Sequence, residues 1–189
     1  MKGYLLPTKL NPAHDVLSPI HQDRLLRSEE QQQFLYGVQD VKDVLVLICG
    51  HGGRDVRCGI MGPVLRNQFE TCLPDNGLRI LQGPVEISQA GESASLPSPG
   101  SEEAAVTARV ASISHIGGHK FAGNVIIYIP PGIKTPEGQK HALEGCGIWY
   151  GRVDPTHVEG IVRETILGGR VIEDLFRGGI RQSGEILRM

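Results

Sequence analysis

The stretch VLVLICGHGGRDVRCG, residues 44–59, decides the fold. Its first five residues form a continuous apolar run of strand length, rich in β-branched side chains. Such a run reads as a buried, parallel strand. It ends in a glycine loop, CGHGGRDVRCG, that carries two cysteines, Cys49 and Cys58. A helix-like segment follows, with Val64, Leu65 and Phe69 placed on one face. Strand, loop and helix in this order open an α/β unit.

Downstream, GPVEI suggests a short strand, and QAGESASLPSPGSEEAA is too polar and small to bury much apolar surface. It reads as a flexible surface insertion, about residues 88–104. TARVASIS alternates like a strand, a histidine loop follows, and NVIIYIP is a second strongly apolar strand. GIWYGRV is a third. Asp154 and Pro155 then supply an N-cap and a first-turn proline for the helix PTHVEGIVRETILGG, stopped by Gly168 and Gly169. The order β-α-β-β-β-α is expected to form a parallel first unit, an antiparallel hairpin around the histidine loop and a closing helix. That arrangement fits an α/β thioredoxin-like sandwich with a mixed central sheet flanked by helices.

Upstream, residues 1–40 read as a partly helical lead-in with apolar Leu25, Leu26, Phe34 and Leu35. The start MKGYLLPTKLNPAHD is neither a signal peptide nor a convincing transit peptide, and suggests the remnant of a truncated N-terminal region. The main domain is expected over 41–175, with 176–189 as a tail. Formal net charge is −2, with 40% hydrophobic and 21% charged residues among 189. This balance gives no electrostatic footprint for nucleic acid or for an anionic membrane. No apolar run reaches the ~18–20 residues of a membrane span. Four cysteines in a chain this long are too sparse for a disulfide scaffold.

The chemistry concentrates in two loops. The first holds Cys49 and Cys58 as C-x8-C, and the second holds His115 and His119 around Gly117 and Gly118. An H-x-x-x-H pair on a helix face is a zinc signature, but the two glycines argue against a helix here. Two paired sets of soft or borderline donors, each at a strand end, suggest a metal or cluster site. A dinucleotide fingerprint fits poorly, since Asp55 stands where the third glycine belongs. A C-x5-R phosphatase loop fails at the same residue, and no C-x-x-C redox motif occurs. A Cys2His2 zinc site remains open, although eight residues between the cysteines exceed the usual knuckle. A 2Fe–2S cluster also remains open, since a long glycine loop can wrap it and donate backbone N–H groups to its sulfides.

Together, CGHGGRDVRCGIMGP, HIGGHKFAGNVIIYIP and GIWYGRV resemble the sucrase/ferredoxin-like proteins. The likeness runs from about Val44 to about Gly169, and is nearest to the fungal branch named for altered inheritance of mitochondria. The resemblance implies a thioredoxin-like 2Fe–2S ferredoxin with a bis-histidinyl cluster. Cys49 and Cys58 would hold one iron, and His115 and His119 the other. It implies an electron carrier rather than a catalyst, with no catalytic residues, redox proteins as partners and a possible homodimer. A mitochondrial location is implied, with the cytosol as the alternative. Imidazole in place of thiolate removes negative charge, so the potential is expected well above the about −400 mV of plant-type all-cysteine clusters. Imidazoles also titrate, so a pH-dependent midpoint is expected.

Other residues carry lesser expectations. His51 is either a hydrogen-bond donor near the centre or a solvated loop residue. Arg54, Asp55 and Arg57 are expected to fix the first loop by ion pairing or to dock an acidic partner. Lys120 is expected to offset cluster charge, and Asn124 to tie the loop backbone. Cys72 and Cys146 read as inert thiols, or as redox thiols beside the cluster in an enzyme. Trp149 reads as a core or interface aromatic.

Overall fold

The computed structural model describes residues 2–3, 6–35, 38, 40–53, 55–83, 106–114 and 116–189, with the backbone alone for His119. The polar stretch at 88–104 and the GPVEI segment after Gly83 lie outside these residues. The lead-in contains helix α1 (Pro19–Leu25) and a 3-10 segment at Glu29–Phe34, as its partly helical pattern predicts.

The apolar run forms strand β1 (Val44–Cys49). Helix α2 (Val56–Asp75) follows, and the short strand β2 (Arg79–Ile80) follows that. Strands β3 (Thr107–Ile113), β4 (Val125–Ile129) and β5 (Cys146–Tyr150) correspond to the three strands read from the sequence. The closing helix, α3, is composite: a 3-10 turn (Pro155–His157), an α turn (Val158–Gly160) and a π segment (Ile161–Leu167). Its cap is the expected one, with the Asp154 side chain accepting the Thr156 N–H at 2.8 Å. Residues 176–189, set apart in the sequence as a tail, add strands β6 (Phe176–Arg181) and β7 (Ile186–Leu187) to the same sheet.

The sheet order is β2-β3-β1-β4-β5-β6-β7. β1 pairs parallel with β3 and antiparallel with β4, so it is an interior strand of a mixed sheet, hydrogen-bonded on both edges. This corrects the expected hairpin around the histidine loop, because β3 and β4 flank β1 instead of pairing. The physical reason is the VLVLI run. An all-apolar strand gains most where both edges are hydrogen-bonded and one face is fully covered. The antiparallel hairpin is β4–β5, joined through residues 130–145.

Burial alternates cleanly along the strands. Val44, Val46, Ile48, Val125, Ile127, Ile129, Ile148 and Tyr150 are fully buried, whereas Leu45, Leu47, Ile126 and Tyr128 are half-buried. α2 covers the buried face with Leu65, Phe69 and Leu73, spaced four apart on one helical stripe. α3 adds Val158, Ile161, Val162 and Ile166. Leu65 and Phe69 therefore lie as the sequence predicts, but Val64 is turned outward and 45% exposed. Among the described residues, no helix is long and apolar enough to cross a membrane.

Candidate metal centre

The glycine loop is shorter than the sequence suggests. It spans residues 50–55, and Cys58 lies in the first turn of α2 instead. Asp55 starts the helix, its side chain accepting the Arg57 N–H at 2.8 Å. The Asp55 carboxylate also binds the Arg57 guanidinium through two nitrogens, at 3.1 and 2.9 Å. Asp55 and Arg57 thus fix the loop by ion pairing, as expected. Arg54 lies outside the described residues.

Glycines bring the helix start onto the strand end. A methyl group at Gly62 would sit 2.8 Å from Gly50 Cα and 3.0 Å from the Cys49 carbonyl oxygen. One at Gly59 would sit 2.6 Å from Gly52 Cα. This backbone-to-backbone approach is possible only without side chains. It brings Cys58 near enough to Cys49 for the neighbouring thiol to act on its protonation. Both residues are 1% exposed. Burial, the neighbouring Cys49 and the charge of Asp55 push the Cys58 thiol up to about 11, against the pull of Arg57. A metal cation, bound at the sulfur, would displace such a proton.

The second loop is tied to the first at both ends. The Gly50 N–H donates to the Ile113 carbonyl at 3.2 Å, where β3 ends. The Cys49 N–H donates to the Asn124 carbonyl at 3.0 Å, where β4 begins. The chain on either side of the histidine loop, at Ile113 and Asn124, is therefore tied to the end of β1 that carries Cys49. Gly117 has φ +71°, and a methyl group there would meet Trp149 at 2.7 Å and Asn124 Oδ1 at 2.8 Å. The backbone at His119–Phe121 makes a single 3-10 turn, which agrees with the reading that H-x-x-x-H is no α-helical zinc face. His115 and the side chain of His119 lie outside the described residues. Among the described residues, no group of three or more metal-ligating side chains is gathered.

Asn124 does tie this region together, through more than its backbone. Its Oδ1 accepts the Trp149 indole N–H at 3.1 Å, while its Nδ2 is fully buried with no partner among the described residues. Trp149 is half-buried, and His51 is exposed. Cys72 lies on α2 fourteen residues beyond Cys58, or about 21 Å along the helix axis. Cys146 starts β5 opposite Ile129, at the far end of β4 from Asn124. Neither thiol stands beside the Cys49–Cys58 pair. Burial pushes both thiols upward.

The residues present fit a thiolate-held group. Two thiols are buried at a strand end and a helix start that meet through glycine backbone, and an orphaned amide donor lies at the adjoining strand end. Gly59 and Gly62 escaped the sequence reading, although glycines inside a helical pattern are a signal of close approach.

Comparison with known proteins agrees with the motifs. The chain is 35% identical over 182 residues to Altered inheritance of mitochondria protein 32 of Debaryomyces hansenii, covering 95% of this chain and 52% of that protein. It is 35% identical over 176 residues to the protein of the same name in Meyerozyma guilliermondii, covering 93% and 48%. The Saccharomyces cerevisiae protein of that name is 32% identical over 136 residues, covering 71% and 32%. The chain spans about half the length of the first two relatives. A match to the sucrase/ferredoxin-like family extends over residues 4–178, well beyond the stretch that carries the motifs, and the chain belongs to that family.

Proposed function

We propose that this chain is an electron-transfer protein holding a 2Fe–2S cluster through Cys49, Cys58, His115 and His119. The observation that supports it is the crossing of the two loops. The Gly50–Ile113 and Cys49–Asn124 backbone bonds hold both ends of the histidine-bearing loop against the strand end that carries the cysteine pair. When bound, the cluster supplies one-electron chemistry, at a potential raised by its imidazole ligands above the about −400 mV of all-cysteine clusters.

The chain's own residues would do four things. Cys49 and Cys58 would present thiolates from a strand end and a helix turn that cannot move apart without opening glycine contacts. His115 and His119 would supply neutral nitrogen donors whose second ring nitrogen exchanges protons with solvent. Asn124 Nδ2 would donate its orphaned hydrogen bond toward the centre. The burial of Cys49 and Cys58, at 1% exposure each, would keep water from the cysteine side. The relatives' name suggests a mitochondrial role, which we extend to this chain as part of the proposal.

Purified chain is expected to be red-brown, with iron and acid-labile sulfide in equal amounts. The midpoint is expected to fall as pH rises through the imidazole range. His115→Cys and His119→Cys are expected to keep the cluster, shift its spectrum and lower its potential. A colourless protein with one zinc per chain would overturn the reading in favour of a zinc-stabilised Cys2His2 binding module.

A further inference from the structure

Three cations crowd one aromatic ring at the edge of the centre. The Arg177 guanidinium carbon lies 3.4 Å from the centroid of Phe121, the Lys120 Nζ 5.0 Å and the Arg152 guanidinium carbon 5.1 Å. All three are exposed, and the ring between them is half-buried. A cation over a ring face is attracted to it, but one ring cannot satisfy three, and the cations repel one another.

The fold works to hold them there. Pairing between β5 and β6 slips at Trp149 and Tyr150, so that Gly178 opposes Trp149 and Phe176 opposes Tyr150. Arg177 is the extra residue of this bulge, a device that re-aims a side chain. Its stem crosses Gly151, where a methyl group would meet Arg177 Cγ at 3.0 Å. Arg152 has φ +60°, and is the one non-glycine residue with positive φ among the described residues. Its N–H donates to the Phe121 carbonyl at 3.3 Å. Such backbone is costly for a residue with a Cβ and marks functional positions.

Among the described residues, no carboxylate answers these charges. Arg57, Arg109, Arg163 and Arg170 each hold an acidic side chain, at 2.9, 2.7, 2.7 and 2.6 Å. Among the described residues, Lys120, Arg152 and Arg177 have no such partner. The chain as a whole carries a formal charge of −2, so this is a local concentration of positive charge. It adjoins the centre, since Lys120 follows His119 and Arg152 follows Gly151, whose methyl position lies 3.4 Å from Asn124 Oδ1.

We infer that Lys120, Arg152 and Arg177, set around Phe121, are a docking surface for the acidic face of a partner protein. The cations lie exposed around an apolar centre, which is the anatomy of a protein interface: an aromatic core with a charged rim. Three basic residues are fewer than the roughly four to eight of a lipid-reading cluster. That the docked partner exchanges electrons rests on the function proposed above, but the docking surface does not.

The test uses the purified full chain, with iron, sulfide and zinc measured, and an immobilised poly-L-glutamate peptide as the probe. The chain is expected to bind the peptide at low salt and to release it as salt rises. Arg152→Gln with Arg177→Gln is expected to weaken binding by about tenfold or more. Lys9→Gln with Lys134→Gln, which removes the same charge elsewhere, is expected to leave it intact. Trp149 emission confirms that each variant is folded. Equal loss in both pairs, or loss in neither, overturns the docking surface. Displacement of the peptide by inorganic phosphate at matched charge would mark a small-anion site, and sedimentation with phosphatidylserine vesicles without peptide binding would mark a membrane site. Either result overturns the proposal. Peptide binding without iron or sulfide overturns the cluster alone, whereas iron-loaded patch variants that bind like the parent overturn the docking surface alone.

Discussion

His141 is fully buried, with both ring nitrogens engaged. Nδ1 accepts the Leu143 N–H at 3.2 Å, so the ring hydrogen resides on Nε2, which donates to the Ile166 carbonyl at 3.1 Å. Burial lowers its pKa, while the bond to Ile166 and the charge of Glu144 act the other way. The net shift is downward, so the folded chain keeps the ring neutral where the unfolded chain takes a proton. Stability from this residue is therefore fully present above about pH 6.5 and is lost as pH falls toward the folded pKa. Urea midpoints measured between pH 7.5 and 5 are expected to fall steeply for the parent. His141→Asn is expected to be less stable throughout but flatter with pH, and an equally steep fall in that variant would dismiss the assignment. Nothing in the sequence marks His141, because a lone loop histidine has no partner within reach of the eye. Cys49 and Cys58 were legible because they come paired, in a glycine context and after a buried strand.

At the scale of the element, α2 is set by two features the sequence gives unequally. Asp55 as a cap is an ordinary signal, yet the glycines around it extend the apparent loop through Cys58. The reason is that Gly59 and Gly62 look like loop residues and are helix residues, present for close approach to Gly50 and Gly52. Gly62→Ala should raise helix propensity by ~1 kcal/mol. It is nonetheless expected to destabilise by about 1–3 kcal/mol, because the new methyl group meets rigid backbone. Urea unfolding checks this, with Val64→Ala on the exposed side as a near-neutral comparison. A stabilised Gly62→Ala variant would mean that helix and loop are not in contact. Val64 itself shows the limit of periodicity: it adjoins Leu65, and apolar neighbours blur which side of the helix faces inward.

For the whole molecule, strand identity was legible and strand adjacency was not. The apolar runs at 44–48, 107–113, 125–129 and 146–150 announce themselves, but hydrophobicity alone does not say that β1 lies between β3 and β4. β6 and β7 were hidden for a related reason. They carry Gly178, Gly179 and exposed Ile180 and Ile186, a weak strand signal that only pairing with β5 makes persistent. The interior place of β1 has a kinetic consequence. Val44 pairs with Ala108, whereas Ile129 pairs with Cys146, so the β1–β3 pair closes a far longer stretch of chain than the β4–β5 hairpin does. Long closures delay productive collisions, and local ones are reached first. The nucleus of folding then belongs to β4 and β5, and the β1–β3 seam forms after the barrier. Truncations such as Ile148→Val should slow refolding, and Val46→Ala should chiefly hasten unfolding. The strand end that gathers the cysteines would thus be the last part of the sheet to be assembled, leaving both thiols open to a metal donor until the chain has nearly finished folding.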